Sequence, residues 1–118
     1  MERVAFMTNE SGDDLIVSFA LSQGEPGEVR SLILQRTPKY EFLFDETERG
    51  VSFSDEARWE EEDDWVRSID FSREVVRIET QYHEYTLDVS GVEMRELKQA
   101  EKILRKMNFD NAFILRIV

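Results

Sequence analysis

The chain contains no cysteine, a single histidine and only two prolines among its 118 residues. Without cysteine there are neither disulfides nor thiolate metal sites, which fits a reducing compartment without requiring one. His83 is the sole candidate base for a Ser–His–acid nucleophile. A zinc site would have to be built mostly from carboxylates, which zinc proteins seldom use alone. The five glycines stand apart at 12, 24, 27, 50 and 91, so they form no glycine-rich phosphate loop. Long apolar runs are missing as well. The N-terminal MERVAFMT offers only four apolar residues in a row, Val4–Met7, too few for a secretory signal or a membrane span. Cytoplasmic residence is therefore the expectation. Positive charge is scarce: 15 Lys and Arg against 26 Asp and Glu give a net of −11. That balance repels nucleic acid and anionic membranes alike, so neither is an expected partner. No cofactor and no metal are expected.

What is present suits one domain spanning residues 1–118. Hydrophobic residues make up 41%, with eight Phe, three Tyr and two Trp, enough for a single core at this length. Arg3–Thr8 predicts a first strand, ended by the turn-rich Asn9–Asp14. Leu15, Val17, Phe19 and Leu21 then recur with period two, the mark of a strand with one strongly buried face. Gly24, Pro26 and Gly27 mark a loop. Val29–Arg36 follows, with Leu32 and Leu34 on one face, Ile33 on the other and arginines flanking the run. After Pro38, the alternation of Tyr40, Phe42 and Phe44 predicts an aromatic strand. Asp45–Gly50 reads as a connection whose glycine can take a positive φ, and Val51 and Phe53 resume a short strand. Trp65–Phe71, Val75–Thr80 and Tyr82–Val89 are rich in β-branched and aromatic residues and predict an antiparallel meander.

The period changes at Ser90. Ser90-Gly91-Val92-Glu93 matches a capping box, and Leu97, Ala100, Ile103, Leu104 and Met107 form one apolar stripe. Together they predict a helix near residues 91–107. Glu93 and Glu96 lie early and Arg105 and Lys106 late, the order that the helix dipole favours, and Asn108 is a left-handed stop. Ala112–Val118 returns as a strand which, at a sheet edge, would invite a homodimer. The expected class is α+β: a mainly antiparallel sheet of about seven to nine strands, curved or sandwich-like, with one amphipathic helix and a C-terminal strand.

Charge is distributed unevenly. Glu41–Asp64 holds eleven acids against two bases, a net of −9, whereas the other 94 residues carry only −2. Within it, Asp55–Asp64 reads DEARWEEEDD, with Trp65 next. One reading is a solvated loop that keeps the protein soluble. The sharper reading sees Trp59 and Trp65 flanking Glu60–Asp64, as aromatic anchors among acids that steer a basic partner; the two tryptophans could equally be core anchors at the ends of the loop. The expected contact residues are then Asp55, Glu56, Trp59, Glu60, Glu61, Glu62, Asp63 and Asp64. Trp65 shares parity with Ile69 and Phe71 and is expected in the core. The alternating ligands and central glycine of a calcium loop are missing. His83 shares parity with Tyr85, Leu87 and Val89, which points to a packed or half-buried imidazole rather than an exposed catalyst.

Leu15–Leu21, SLILQR (Ser31–Arg36), an aromatic strand and GVSFS (Gly50–Ser54) follow one another, then the strands of Val75–Val89 and the helix REL…EKIL (Arg95–Leu104). This succession resembles the tenth immunity-protein family of bacterial polymorphic-toxin systems. It covers roughly Leu15 to Leu104, as an order of elements rather than a diagnostic motif. The resemblance implies a strand-rich domain that binds and blocks a toxin made by the neighbouring gene. It carries no binding residue to a particular position, and the acidic stretch before Trp65 has no counterpart in it.

The expectation is a non-enzymatic acidic protein-binding module, an immunity or antitoxin-like inhibitor of a basic toxin such as a nuclease. The alternative is a β-rich small-ligand binder with Phe19, Phe42, Phe53 and Tyr85 lining an apolar cavity between sheet and helix. A carboxylate hydrolase would need two acids about 5–10 Å apart in a cleft. With 26 acids in the chain, chance alone supplies such pairs.

Overall fold

A computed structural model describes residues 1–22, 29–43, 49–58 and 63–118. Its strands are β1 (Glu2–Ser11), β2 (Leu15–Ser22), β3 (Val29–Arg36), β4 (Ser52–Asp55), β5 (Asp64–Phe71), β6 (Val75–Thr80), β7 (Glu84–Asp88) and β8 (Ile114–Ile117). The one α-helix among the described residues, α1, spans Met94–Met107 and precedes β8. The class is α+β, as expected, and the sheet is mixed. β1 to β4 form one antiparallel meander, and β5 to β7 form a second.

Two short pairings join the meanders. β1 lies parallel to β7 at Glu2↔Leu87 and Arg3↔Asp88, and β4 lies antiparallel to β5 at Ser52↔Trp65 and Phe53↔Asp64. Strands β1 to β7 therefore close on themselves. β5 leaves β4 after Trp65 and takes up β8 in parallel from Ser68 to Phe71, and β8 ends the strand order.

Of the four strands that join the meanders, β1 and β5 each carry a register shift, between Val4 and Phe6 in β1 and between Val66 and Ser68 in β5. A bulge adds a residue on one side and sharpens the twist, which lets a strand leave one sheet and enter another. It also breaks parity. The buried residues of β5 are Asp64 and Val66 before the shift, and Ile69 and Phe71 after it. Trp65 is thereby moved off the buried face, and the parity that assigned it to the core fails at Arg67.

The apolar faces of the strands meet the stripe of α1 in one continuous core. Val17, Phe19, Leu21, Leu32, Leu34, Ile69, Ile78 and Leu87 are essentially inaccessible, as are Ala100, Ile103, Leu104 and Met107. α1 rests on β1 and β2. Met7 N donates to Glu96 Oε2 at 3.4 Å, and Asn9 Nδ2 donates to the Glu96 carbonyl at 3.2 Å.

Three local expectations are corrected. The aromatic strand after Pro38 is a 3-10 segment, Pro38–Leu43, started where Tyr40 N donates to Thr37 O. It leaves Phe42 and Leu43 73% and 68% exposed. Proline lacks the donor a strand needs, and the tight turn brings Glu41 back to Arg36, five residues earlier. The capping box also fails. The Ser90 hydroxyl donates to Asp88 Oδ1 at 2.6 Å, so the helix starts at Met94, with Glu93 as N-cap and no side-chain cap. Asn108 ends α1 with φ −97°, and the left-handed residue is Asn111, φ 56°. Gly50 has φ 136°, the positive value expected of it. The loop at Gly24, Pro26 and Gly27, the connection 45–48 and Phe44 lie outside the described residues.

Arg36, with no exposed side-chain surface, is the most consequential residue missed. Its Nε and Nη2 donate to the two oxygens of Glu41 at 2.8 and 2.9 Å, and Nη1 and Nη2 donate to those of Asp110, both at 2.8 Å. Nη1 also donates to the Met107 carbonyl at 2.6 Å, and the Phe109 ring covers the guanidinium with its centroid 4.3 Å away. Burial works against the cation, but the two carboxylates outweigh it and raise the guanidinium pKa, while Asp110 is held below the usual carboxylate range. Arg36→Met strands two carboxylates and is expected to cost about 3 kcal/mol in urea denaturation. Arg105→Ala, at the solvated pair with Glu101, is expected to change stability by less than about 0.5 kcal/mol.

Candidate functional site

The acidic stretch begins where β4 ends and stops where β5 begins. β4 and β5 are paired neighbours, so this connection has both ends fixed on the same rim of the sheet. At the first end stands Asp55, which is buried. Arg30 grips it in bidentate fashion, Nε to Oδ1 at 2.8 Å and Nη2 to Oδ2 at 2.6 Å. The Tyr85 hydroxyl donates to Oδ2 at 2.8 Å and the Ala57 amide to Oδ1 at 2.9 Å. Arg30 Nη1 donates to Glu2 Oε1 at 2.9 Å, so β1, β3, β4 and β7 are tied together by one polar network.

Burial pushes the Asp55 carboxyl up, but the Arg30, Ala57 and Tyr85 hydrogen bonds prevail and hold its pKa at about 2. The same network raises Arg30, chiefly through its bond to Asp55. It raises Tyr85 through burial and then through its bond to that carboxylate.

At the second end Asp64 is also buried. Its Oδ2 accepts from the Thr80 hydroxyl at 2.6 Å, and its Oδ1 accepts from its neighbour's amide, Trp65 N, at 2.9 Å and from Tyr82 N at 3.3 Å. Thr80 also accepts from His83 N at 2.9 Å, which closes the β6–β7 turn. The expectation that all these acids face solvent is therefore corrected for Asp55 and Asp64. Each continues the inward face of its strand, and each carboxylate is taken up by internal donors. Glu41 is likewise turned inward, to Arg36.

Glu56 and Asp63 are exposed. Glu56 Oε2 accepts from Ser31 N at 2.8 Å, which docks the short 3-10 turn Glu56–Arg58 onto β3. Trp59, Glu60, Glu61 and Glu62 lie outside the described residues; the chain carries them between Arg58 and Asp63. His83 is half-buried, as its parity implied, with its ring edge-on to Tyr85 and Arg58 Nη1 2.6 Å from Nδ1. The same Nη1 lies 3.1 Å from Nε2, so the guanidinium sits against the imidazole ring.

Among the described residues, the four expected to line a ligand cavity do not surround one. Phe19, Phe53 and Tyr85 are packed in the core, with the Phe53 and Tyr85 rings 5.0 Å apart, and Phe42 points outward. Hollows of about 340, 270 and 360 Å³ lie at the surface, and none is lined by these four residues. Among the described residues no three His, Cys, Asp or Glu come together to hold a metal ion, and no helix is long and apolar enough to cross a membrane.

Arg30 and Arg36 were the partners that sequence reasoning missed. Both share the parity of Leu32 and Leu34, so the inward face of β3 reads Arg30, Leu32, Leu34, Arg36. Two arginines on a buried face require acids to meet them, and that signal was available. No family model, curated protein or solved structure matches the chain.

The Asp55 pKa gives a pH test. A carboxylate held below its unfolded value, near 3.8 for this group, stabilises fully above that value. The contribution is lost as pH falls from about 4 toward 2, and it amounts to about 2 kcal/mol. Asp55→Asn is expected to flatten the stability profile in that window. Parallel profiles for the variant and the parent in urea denaturation would contradict the assignment.

Proposed function

We propose that this protein is a non-enzymatic binding module that presents the acids of the β4–β5 connection to a basic protein, in the manner of an immunity or antitoxin-like inhibitor. The observation that carries the reading is the local acidity, a net of −9 in Glu41–Asp64, of which the connection itself, Glu56–Asp63, holds five acids against one base. Its described acids divide into two groups with different tasks. Glu41, Asp55 and Asp64 secure the fold. Glu56 and Asp63 remain at the surface on either side of residues 59–62. An inhibitor of a nucleic-acid enzyme gains from carrying negative charge, because the target's active site already attracts a polyanion.

Fixed ends favour this use. The hydrogen bonds of Asp55 and Asp64 anchor the connection at both sides, so a partner meets charges tethered to a rigid rim. Less freedom is then lost on association than for a segment tethered at one end.

The test is cross-linked co-purification from the native cell, followed by association kinetics with the recovered partner. A partner rich in Lys and Arg is expected, with association slowing as salt rises. Reversing Glu60, Glu61 and Glu62 to Lys is expected to slow association at least about tenfold and to remove most of the salt dependence. If those reversals leave the rate unchanged, the acidic connection is not the contact surface.

A further inference from the structure

We propose that the groove between α1 and the ends of β5 and β8 binds an amphiphilic carboxylate, a medium-chain fatty acid in chemical class. Its floor and walls are apolar. Phe71 and Leu97 are buried beneath it, Ile117 is half-buried, and Met94 and Val118 flank it exposed to solvent. The hollow measures about 340 Å³, at the small end of ligand sites. A protein partner would need a contact of about 800 Å² on each side, far more than this groove provides. A small molecule is the occupant that fits.

The rim selects the head group. Arg73, from the turn after β5, and Lys98 and Lys102, one helical turn apart on α1, all line the groove. Among the described residues none of the three has an ion-pair partner, while nearby cations are engaged: Arg105 with Glu101, Arg116 with Asp70 and Lys106 with the Ser11 hydroxyl. The polar groups nearest the floor are spent. The Ser72 hydroxyl donates to Val75 O, and Val118 N donates to Phe71 O. The floor thus offers nothing to a polar ligand body, whereas the rim offers three cations to an anionic head. Arg73 can hold both oxygens of a carboxylate, and the two lysines add point charges. Glu101 is the one acidic side chain lining the groove, and it sits 4.0 Å from Arg105.

This site is separate from the acidic connection. β5 runs its eight residues from Asp64 at that connection to Phe71 at the groove, a distance on the order of 20 Å. Its occupancy does not depend on the acidic-face reading.

Isothermal titration with decanoate, butanoate, decanol and decyl phosphate tests the proposal. Decanoate is expected to bind saturably at one site, butanoate not at all, and decanol at least about tenfold more weakly than decanoate. Arg73→Gln combined with Lys98→Gln and Lys102→Gln is expected to weaken decanoate at least about tenfold and to leave decanol unchanged. All three side chains are exposed, so the variant keeps the fold. Glu101→Gln is expected to tighten decanoate. Equal affinity for decanol and decanoate, or full affinity in the triple variant, would overturn the proposal. So would a lack of saturable decanoate binding, or binding of decyl phosphate in its place.

Discussion

The buried guanidinium of Arg36 sets much of the architecture. A cation withdrawn from water is costly unless its donors are met, and here Glu41, Asp110 and the Met107 carbonyl meet them. Each acceptor belongs to a different part of the chain. Glu41 belongs to the 3-10 segment that follows β3, Met107 to the last turn of α1, and Asp110 to the link toward β8. The need to satisfy one charge thus decides why the chain turns tightly after Pro38. It also decides where the helix comes to rest, and how β8 is delivered to β5.

A second network, around Asp55, does the same at the far end of β3. Arg30 and Arg36 occupy the two ends of that strand's inward face, and each is locked by acids from elsewhere. The apolar middle, Leu32 and Leu34, is sealed between them. This arrangement splits the protein's acidity into a structural share and a surface share, a distinction that net charge conceals. The structural share couples the two meanders where strand pairing is shortest, since β1 and β7 touch over two residue pairs and β4 and β5 over two more.

Much of the fold was legible because periodicity is a local property. The alternation of Leu15–Leu21 and the stripe Leu97–Met107 both appear where the sequence placed them. The three late strands also pair as an antiparallel meander. Trp65 was misplaced because a bulge is not written in hydrophobic alternation; it is imposed by the change of partner from β4 to β8. The aromatic alternation after Pro38 failed for a similar reason, as Glu41 is drawn to a buried arginine and Phe42 is left outside. The candidate site was legible only as charge. Sequence alone does not show which of eight neighbouring residues face inward, because that depends on Arg30, Tyr85 and Thr80, which lie 16 to 30 positions away.

Native-state hydrogen exchange tests the central role of Arg36 most directly. If its guanidinium binds β3 and the end of α1 into one cooperative unit, the amides of Leu32, Leu34, Leu104 and Met107 will exchange with a common opening free energy. In Arg36→Met they will lose protection together, while those of Val76 and Ile78 in β6 change less. Independent, weakly protected exchange of the last helical turn in the parent protein, with β3 still fully protected, would contradict the account.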